Sequence, residues 1–178
     1  MKTCKQVRLS DKKIGEVAKI GKYEFIVLEQ MEGAAAVILK DLLRNVTFGE
    51  NNNDLRESNV LPILREFAKE IEELVGVGNL IEHEVDLTSN DGLKDYGTIT
   101  EKMSLLTAEQ YRRYVDVLDQ DRIKKWWWLA TPDSTKSHEN NQWNVCVSPS
   151  GDIDGYICGD REIGVRPFCI LNSDIFVS

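Results

Sequence analysis

Two histidines, four cysteines and a few closely spaced carboxylates are the side chains in this 178-residue sequence that most readily suit chemistry. A cysteine nucleophile needs an imidazole within hydrogen-bond reach. His83 alternates with Val85 and Leu87 in a strand-like run and is expected on its solvent face, while His138 falls in a polar loop; no motif ties either to Cys146 or Cys158. Cys4, Cys146, Cys158 and Cys169 form no CxxC, so a structural zinc site is unsupported. The last three lie in apolar, strand-like surroundings, where a free cysteine acts as a small buried hydrophobe. Asp152-Ile153-Asp154-Gly155 has the opening of a calcium loop, but Tyr156 fills the next ligand position and no suitably spaced Glu follows. No phosphate-cradling glycine loop is present, and the adjacent acids Glu72 and Glu73 lie on a helix. The sequence therefore reads as non-enzymatic, with no cofactor and no metal.

Charge is the next signal. The net charge is −8, yet residues 50–101 hold 13 acids against 4 bases, and the remainder is balanced at 17 against 18. Glu66, Glu70, Glu72 and Glu73 on a helix, with Glu82 and Glu84 on the strand after it, are the candidate acidic surface. Clustered carboxylates present a field like a nucleic-acid backbone and suit a basic groove on a protein. Direct nucleic-acid binding is not expected without overall basic character. The first 22 residues carry seven Lys/Arg against Asp11 and Glu16, and residues 1–13 read as a basic arm. No run approaches the roughly 20 apolar residues of a membrane span, and the first residues lack a signal peptide's apolar core. A cytoplasmic protein without membrane contact is expected.

The elements that must position these groups follow from periodicity. With 42% hydrophobic and 29% charged residues, the chain suits one domain over residues 1–178. Residues 14–39 read as strands, with a hairpin turn at Glu32-Gly33. Val60, Leu64, Phe67, Ile71 and Leu74 form a helical stripe over about 61–75, with Pro62 in the first turn and Gly76 and Gly78 at the end. Strands are expected over 80–87 and 99–106. Thr107 with Gln110 forms a capping box for a second helix whose inner face is Tyr111, Tyr114 or Val115, and Leu118. The last third is strand-like: 126–129, 143–147 and 153–158 around a turn at 149–152, then 163–171.

That last third carries Trp126-Trp127-Trp128-Leu129-Ala130-Thr131-Pro132 and, further on, Gly164-Val165-Arg166-Pro167. These segments resemble a family of uncharacterised domains common in Firmicutes and their phages and mobile elements, whose members carry Trp-Trp-Leu-Arg-Ser-Pro and a closing Gly-Val-Arg-Pro. The hairpin at 23–39, Leu55-Arg56 opening a helix, and Lys102-Met103-Ser104-Leu105-Leu106 fall in the family's order, so the resemblance covers residues 14–176. Ala130 and Thr131 depart from the family's Arg and Ser, and Asp133 from its usual Gly. The resemblance implies an α+β, C-type-lectin-like fold with mixed or antiparallel sheets and two main helices, akin to retroelement variable proteins and formylglycine-generating enzymes. It assigns ligand binding to late loops at 131–142 and 151–161, with Lys136, His138, Asn140, Asn141, Trp143, Asp152, Asp154 and Tyr156 as binding residues. Side-chain alternation puts Trp126 and Trp128 on one strand face and Trp127 on the other. Trp126, Trp128, Arg166 and Pro167 read as structural.

The function this implies is a phage or mobile-element protein that binds a bacterial protein partner inside the host. One version is an acidic, anti-CRISPR-like inhibitor seated in the basic groove of a nucleic-acid-binding nuclease. An alternative is a display domain that binds a surface protein or glycan through the late loops. A second alternative is a copper oxidase built on Cys146 with Cys158 or Cys169, as in the formylglycine-generating relatives; nothing here matches that family's active-site motif.

Overall fold

The computed structural model describes residues 6–178. In chain order its strands are β1 (Val7–Arg8), β2 (Val17–Ile20), β3 (Tyr23–Met31), β4 (Ala34–Leu39) and β5 (Arg44–Val46); helix α1 (Val60–Val75) comes next. Strands β6 (Leu80–Ile81), β7 (His83–Asp86), β8 (Thr98–Glu101) and β9 (Met103–Ser104) lead to helix α2 (Ala108–Leu118). The chain ends with β10 (Trp127–Pro132), β11 (Trp143–Val147), β12 (Ile153–Ile157), β13 (Ile163–Val165), β14 (Phe168–Asn172) and β15 (Phe176–Val177). The class is α+β. One sheet has the order β2-β3-β4-β14-β6, with β9 also on β14; a second has the order β12-β11-β10-β13-β5. All pairings are antiparallel except β10 with β13.

The first sheet is covered on both faces, which explains why β3 and β4 are almost continuously apolar. Phe25 and Val27 join the cluster that holds Val60, Leu64, Phe67 and Ile71 of α1. Ile26 and Leu28 join the cluster that holds Tyr111, Tyr114 and Leu118 of α2. Gly33, at φ 72°, closes the β3–β4 turn in a conformation that costs glycine little. The Ser58 hydroxyl caps α1, accepting from the amides of Val60 and Leu61 at 3.2 and 3.1 Å. The Thr107–Gln110 capping box opens α2. Leu74 does not continue the α1 stripe: it is 50% exposed and leans on Gly21, past the edge of the sheet.

Three expected strands are each two strands. Residues 80–87 divide into β6 on the first sheet and β7, which turns away to pair with β8; residues 99–106 divide in the same way into β8 and β9. Period-two alternation shows which residues share a face but not which neighbour they pair with, so such a break leaves no mark in the pattern. Residues 163–171 divide at Arg166-Pro167, where the chain passes from the second sheet to the first. Pro167 has no N–H to extend a ladder, and Arg166 ties the crossing down by donating Nε to Leu39 O at 2.9 Å and Nη2 to Lys40 O at 3.2 Å.

The tryptophan run separates as strand alternation requires. Trp128 is fully buried on the α1 side, edge-on to Phe48 at 5.4 Å, with its Nε1 donating to Val46 O at 2.9 Å. Trp127 is buried on the α2 side, against Tyr111 at 5.7 Å and beneath the Arg166 guanidinium at 5.1 Å. Trp126 is half-buried in Trp128's cluster, against Tyr156 at 5.8 Å.

The basic arm needs correction over its described part. Residues 7–8 pair with β15, Leu9 is fully buried, and Gln30 Nε2 donates to the carbonyls of Leu9 and Lys12. Residues 1–5, with Cys4, lie outside the described residues. No helix among the described residues is long and apolar enough to cross a membrane.

Candidate functional site

Loops gather at the C-terminal end of β10. Residues 133–142 follow that strand; residues 49–53, 87–97 and 158–160 come from elsewhere in the chain and meet them. Asn53 is the hub. It is fully buried, donates Nδ2 to Ser134 O at 2.8 Å and Trp143 O at 2.7 Å, and accepts from the Tyr96 hydroxyl at 2.8 Å. Its own amide donates to Asn141 O at 2.9 Å, and Asn90 N donates to Pro132 O at 2.8 Å. Burial, foremost, with Asp54 and Asp95 nearby, pushes the Tyr96 phenol up to about 12, so it acts as a hydroxyl donor. Gly49 N donates to Cys158 O, which attaches the fourth loop.

Two carboxylates fasten residues 87–97 to residues 133–142. Asp91 accepts from Ser134 Oγ at 2.6 Å and from Ser89 Oγ, and contacts His138 Nδ1 at 2.9 Å. Asp95 accepts from Thr135 Oγ1 and from Ser137 Oγ at 2.5 Å. The donated hydroxyls hold both acids below the usual carboxylate range, Ser134 contributing most to Asp91 and Ser137 most to Asp95. Both therefore stay anionic while serving as fasteners. Across the four loops there are six acids, Glu50, Asp91, Asp95, Asp133, Glu139 and Asp160, against Lys94 and Lys136. The net charge of this end is −4. Trp143 stands beside it, 40% exposed, and its ring and the Asp133 carboxylate both lie close to Gly155.

The structure divides the late-loop residues. Lys136, His138, Asn140, Asn141 and Trp143 come together here: Lys136 and His138 are exposed, and Asn141 Nδ2 donates to Asn51 O at 3.3 Å. Asp152 does not join them. It sits in the turn at the opposite end of the β11–β12 hairpin and accepts from Ser150 Oγ at 2.7 Å. Asp154 is exposed within β12, opposite Cys146, and caps its neighbour's amide. Tyr156 is half-buried between Trp126 and the Arg161 guanidinium, 5.4 Å from its ring. The segment 151–161 is mostly strand, because the hairpin's five-residue arms hold its turn and its open end apart.

The acids around α1 are interleaved with bases. Glu70 accepts from the Tyr23 hydroxyl at 2.8 Å and pairs with Lys22 at 3.3 Å; Glu72 pairs with Lys102 at 2.7 Å. Arg65 reaches Glu101 at 2.5 Å. Glu66, Glu73, Glu82 and Glu84 are exposed and make no ion pair among the described residues.

The remaining chemistry-bearing groups stay apart. His83 does not face solvent: residues 83, 85 and 87 share one face of the chain, and its ring packs on Phe168 at 5.4 Å with Nε2 2.8 Å from Ser104 Oγ. Burial lowers its pKa. Cys146 pairs across the strands with Asp154, four residues before Cys158, which puts the two thiols about 13 Å apart along the hairpin. Cys169 belongs to the other sheet. Burial raises all three thiols, Cys146 and Cys158 to about 12, which leaves them protonated and unreactive. Among the described residues no group of three or more His, Cys, Asp or Glu is placed to hold a metal ion.

Sequence reasoning missed Asn53, Tyr96, Asp91 and Asp95. The one available signal was the run of turn-forming residues at 88–92, Thr-Ser-Asn-Asp-Gly, which marks a loop but not its partner. The chain matches no protein-family model, no curated protein and no solved structure.

Proposed function

We propose that this chain is a non-enzymatic binding protein whose contact surface is the acidic loop end, with Trp143 as its anchor and a basic groove on a bacterial protein as its target. The observation that carries this reading is the hydrogen-bonded junction of residues 87–97 with 133–142, two segments of net charge −2 within a loop end of net charge −4, beside a large exposed indole. A surface already ordered loses little conformational entropy on binding. An exposed tryptophan is the residue type most enriched among binding hot spots. Carboxylates held in place by hydroxyls present a fixed negative field, as a nucleic-acid backbone does, and a nuclease groove is the natural receptor for it.

The C-type-lectin-like assignment and the phage or mobile-element origin belong to the same proposal. They are supported by the Trp126–Pro132 and Gly164–Pro167 motifs, and by loops late in the chain carried on a packed scaffold. An anti-CRISPR-like inhibitor is the specific form. The interleaved bases around α1 favour the loop end over that helix as the contact surface.

The test is capture of partners from a bacterial lysate by the immobilised protein, with added salt and duplex DNA as competitors. A protein retained by wild type, released by either competitor and lost with Trp143→Ala supports the proposal. Retention indifferent to salt, to DNA and to Trp143→Ala contradicts it.

A further inference from the structure

A second candidate site lies at the other end of β10, away from the loops, and its chemistry is of opposite sign. It is a cleft of about 620 Å³ between the start of β3, the β4–β5 connection and residues 121–125. That volume falls within the roughly 300–1,000 Å³ of small-molecule sites. Five cationic side chains line it: Lys22, Lys40, Arg122, Lys124 and Lys125. Three acids, Glu24, Asp41 and Asp121, line it too. Leu39 and Ile123 give it an apolar wall, and Leu42 packs so closely over Gly164 that a Cβ there would lie 2.4 Å from its Cδ1. The floor is therefore firm.

A further cation stands behind the wall. Arg166 is almost fully buried, and the carbonyls of Leu39 and Lys40 that it bonds belong to cleft-lining residues. It makes no ion pair among the described residues. Burial, foremost, lowers its pKa from the usual arginine value to about 10, and the charges of Asp41 and Asp121 act the other way. Both acids already lie near lysines: Asp41 is 3.7 Å from Lys125, and Asp121 is 4.0 Å from Lys40. Lys40 also reaches Glu24 at 3.3 Å. Such exposed pairs are weak and exchange readily for a stronger anion. Lys124 has no carboxylate partner among the described residues. Lys22 also pairs with Glu70 at 3.3 Å and Arg122 with Asp119 at 3.9 Å, both exposed pairs of the same weak kind, so the cleft's surplus is the lone Lys124, with the unpaired Arg166 buried behind the wall.

We propose that this cleft binds a phosphorylated small molecule of nucleotide size. Phosphate is the matching anion because its several charged oxygens can each take a separate ammonium group, as dispersed lysines require. The apolar wall gives the ligand's uncharged body a place, and the cleft's volume leaves room for one. The site is independent of the loop end, from which the length of β10 separates it.

Calorimetric titration of the full chain with ATP, pyrophosphate and adenosine, at low and high salt, tests the proposal. Saturable ATP binding is expected, weakened by salt, with pyrophosphate weaker and adenosine not bound. Lys124→Glu with Lys125→Glu lowers ATP affinity by about tenfold or more, as reversed charges at a binding surface do. Lys22→Glu also lowers it, and Lys136→Glu, at the loop end, leaves it unchanged. Unfolding curves establish that each variant is folded. Absence of saturable ATP binding, adenosine binding as tightly as ATP, pyrophosphate equalling ATP, or indifference to the Lys22, Lys124 and Lys125 variants would each overturn it.

Discussion

The two ends of β10 stand about 20 Å apart and hold their charges by opposite means. At the C-terminal end, short acidic side chains are fixed by serine and threonine hydroxyls around the buried amide of Asn53. At the N-terminal end, long lysine side chains form loose pairs at 3.3 to 4.0 Å above a buried, unpaired Arg166. A rigid anionic surface suits a large partner, since its ordering is complete before contact. A flexible cationic cleft suits a small ligand that draws the side chains around itself. On the two proposals, one strand carries a preformed interface at one end and an adaptable one at the other.

The largest expected effect breaks the cleft end. Arg166→Met leaves the carbonyls of Leu39 and Lys40 without a donor and removes the stack on Trp127. Unfolding in denaturant should show a loss of about 3–4 kcal/mol. A loss under about 1 kcal/mol would mean that the crossing between sheets does not depend on the guanidinium. Asn53→Ala breaks the loop end in the same way, leaving the Ser134 carbonyl and the Tyr96 phenol unpartnered and the Trp143 carbonyl with the Asp133 amide alone, at about 3 kcal/mol. Amide exchange should rise in residues 133–142 and stay unchanged in 121–125; a uniform rise would dissolve the distinction between the ends.

These two residues also show what a sequence can reveal. The hairpin at 23–39, the α1 stripe and the Thr107 cap were legible because each depends on neighbours within a few positions. The Trp126–Trp128 run was legible as alternation about a buried strand. Asn53 was not, because an Asn in a polar loop has no local mark of burial, and its partners Tyr96, Ser134 and Trp143 lie 43 to 90 residues away. Separate acidic and loop-built surfaces were expected. Asp91 and Asp95 belong to the acidic stretch by sequence and to the loop surface by contact, which only the tertiary fold could reveal. His83 was legible and was misassigned, since positions two apart in a strand share a face.

Smaller effects sharpen the contrast. Trp143→Ala should reduce partner affinity about 30-fold, roughly 2 kcal/mol, while the thermal midpoint stays nearly that of wild type. A large fall in stability instead would make Trp143 a packing residue. The pH response is the subtlest. Asp91 and Asp95 titrate below the ordinary Asp value of about 3.9, so their stabilisation is complete above that pH and is lost as pH falls through their lower folded values. The loop junction should hold at neutral pH and loosen only in strongly acidic solution, as reported by Trp143 fluorescence. Asp91→Asn with Asp95→Asn should flatten that acid transition.

Hydrogen–deuterium exchange on the protein bound to a captured partner tests the assignment of the interface most directly. Slowed exchange confined to residues 87–97 and 133–143 is the predicted result. Protection along α1 with none in those two segments would contradict it.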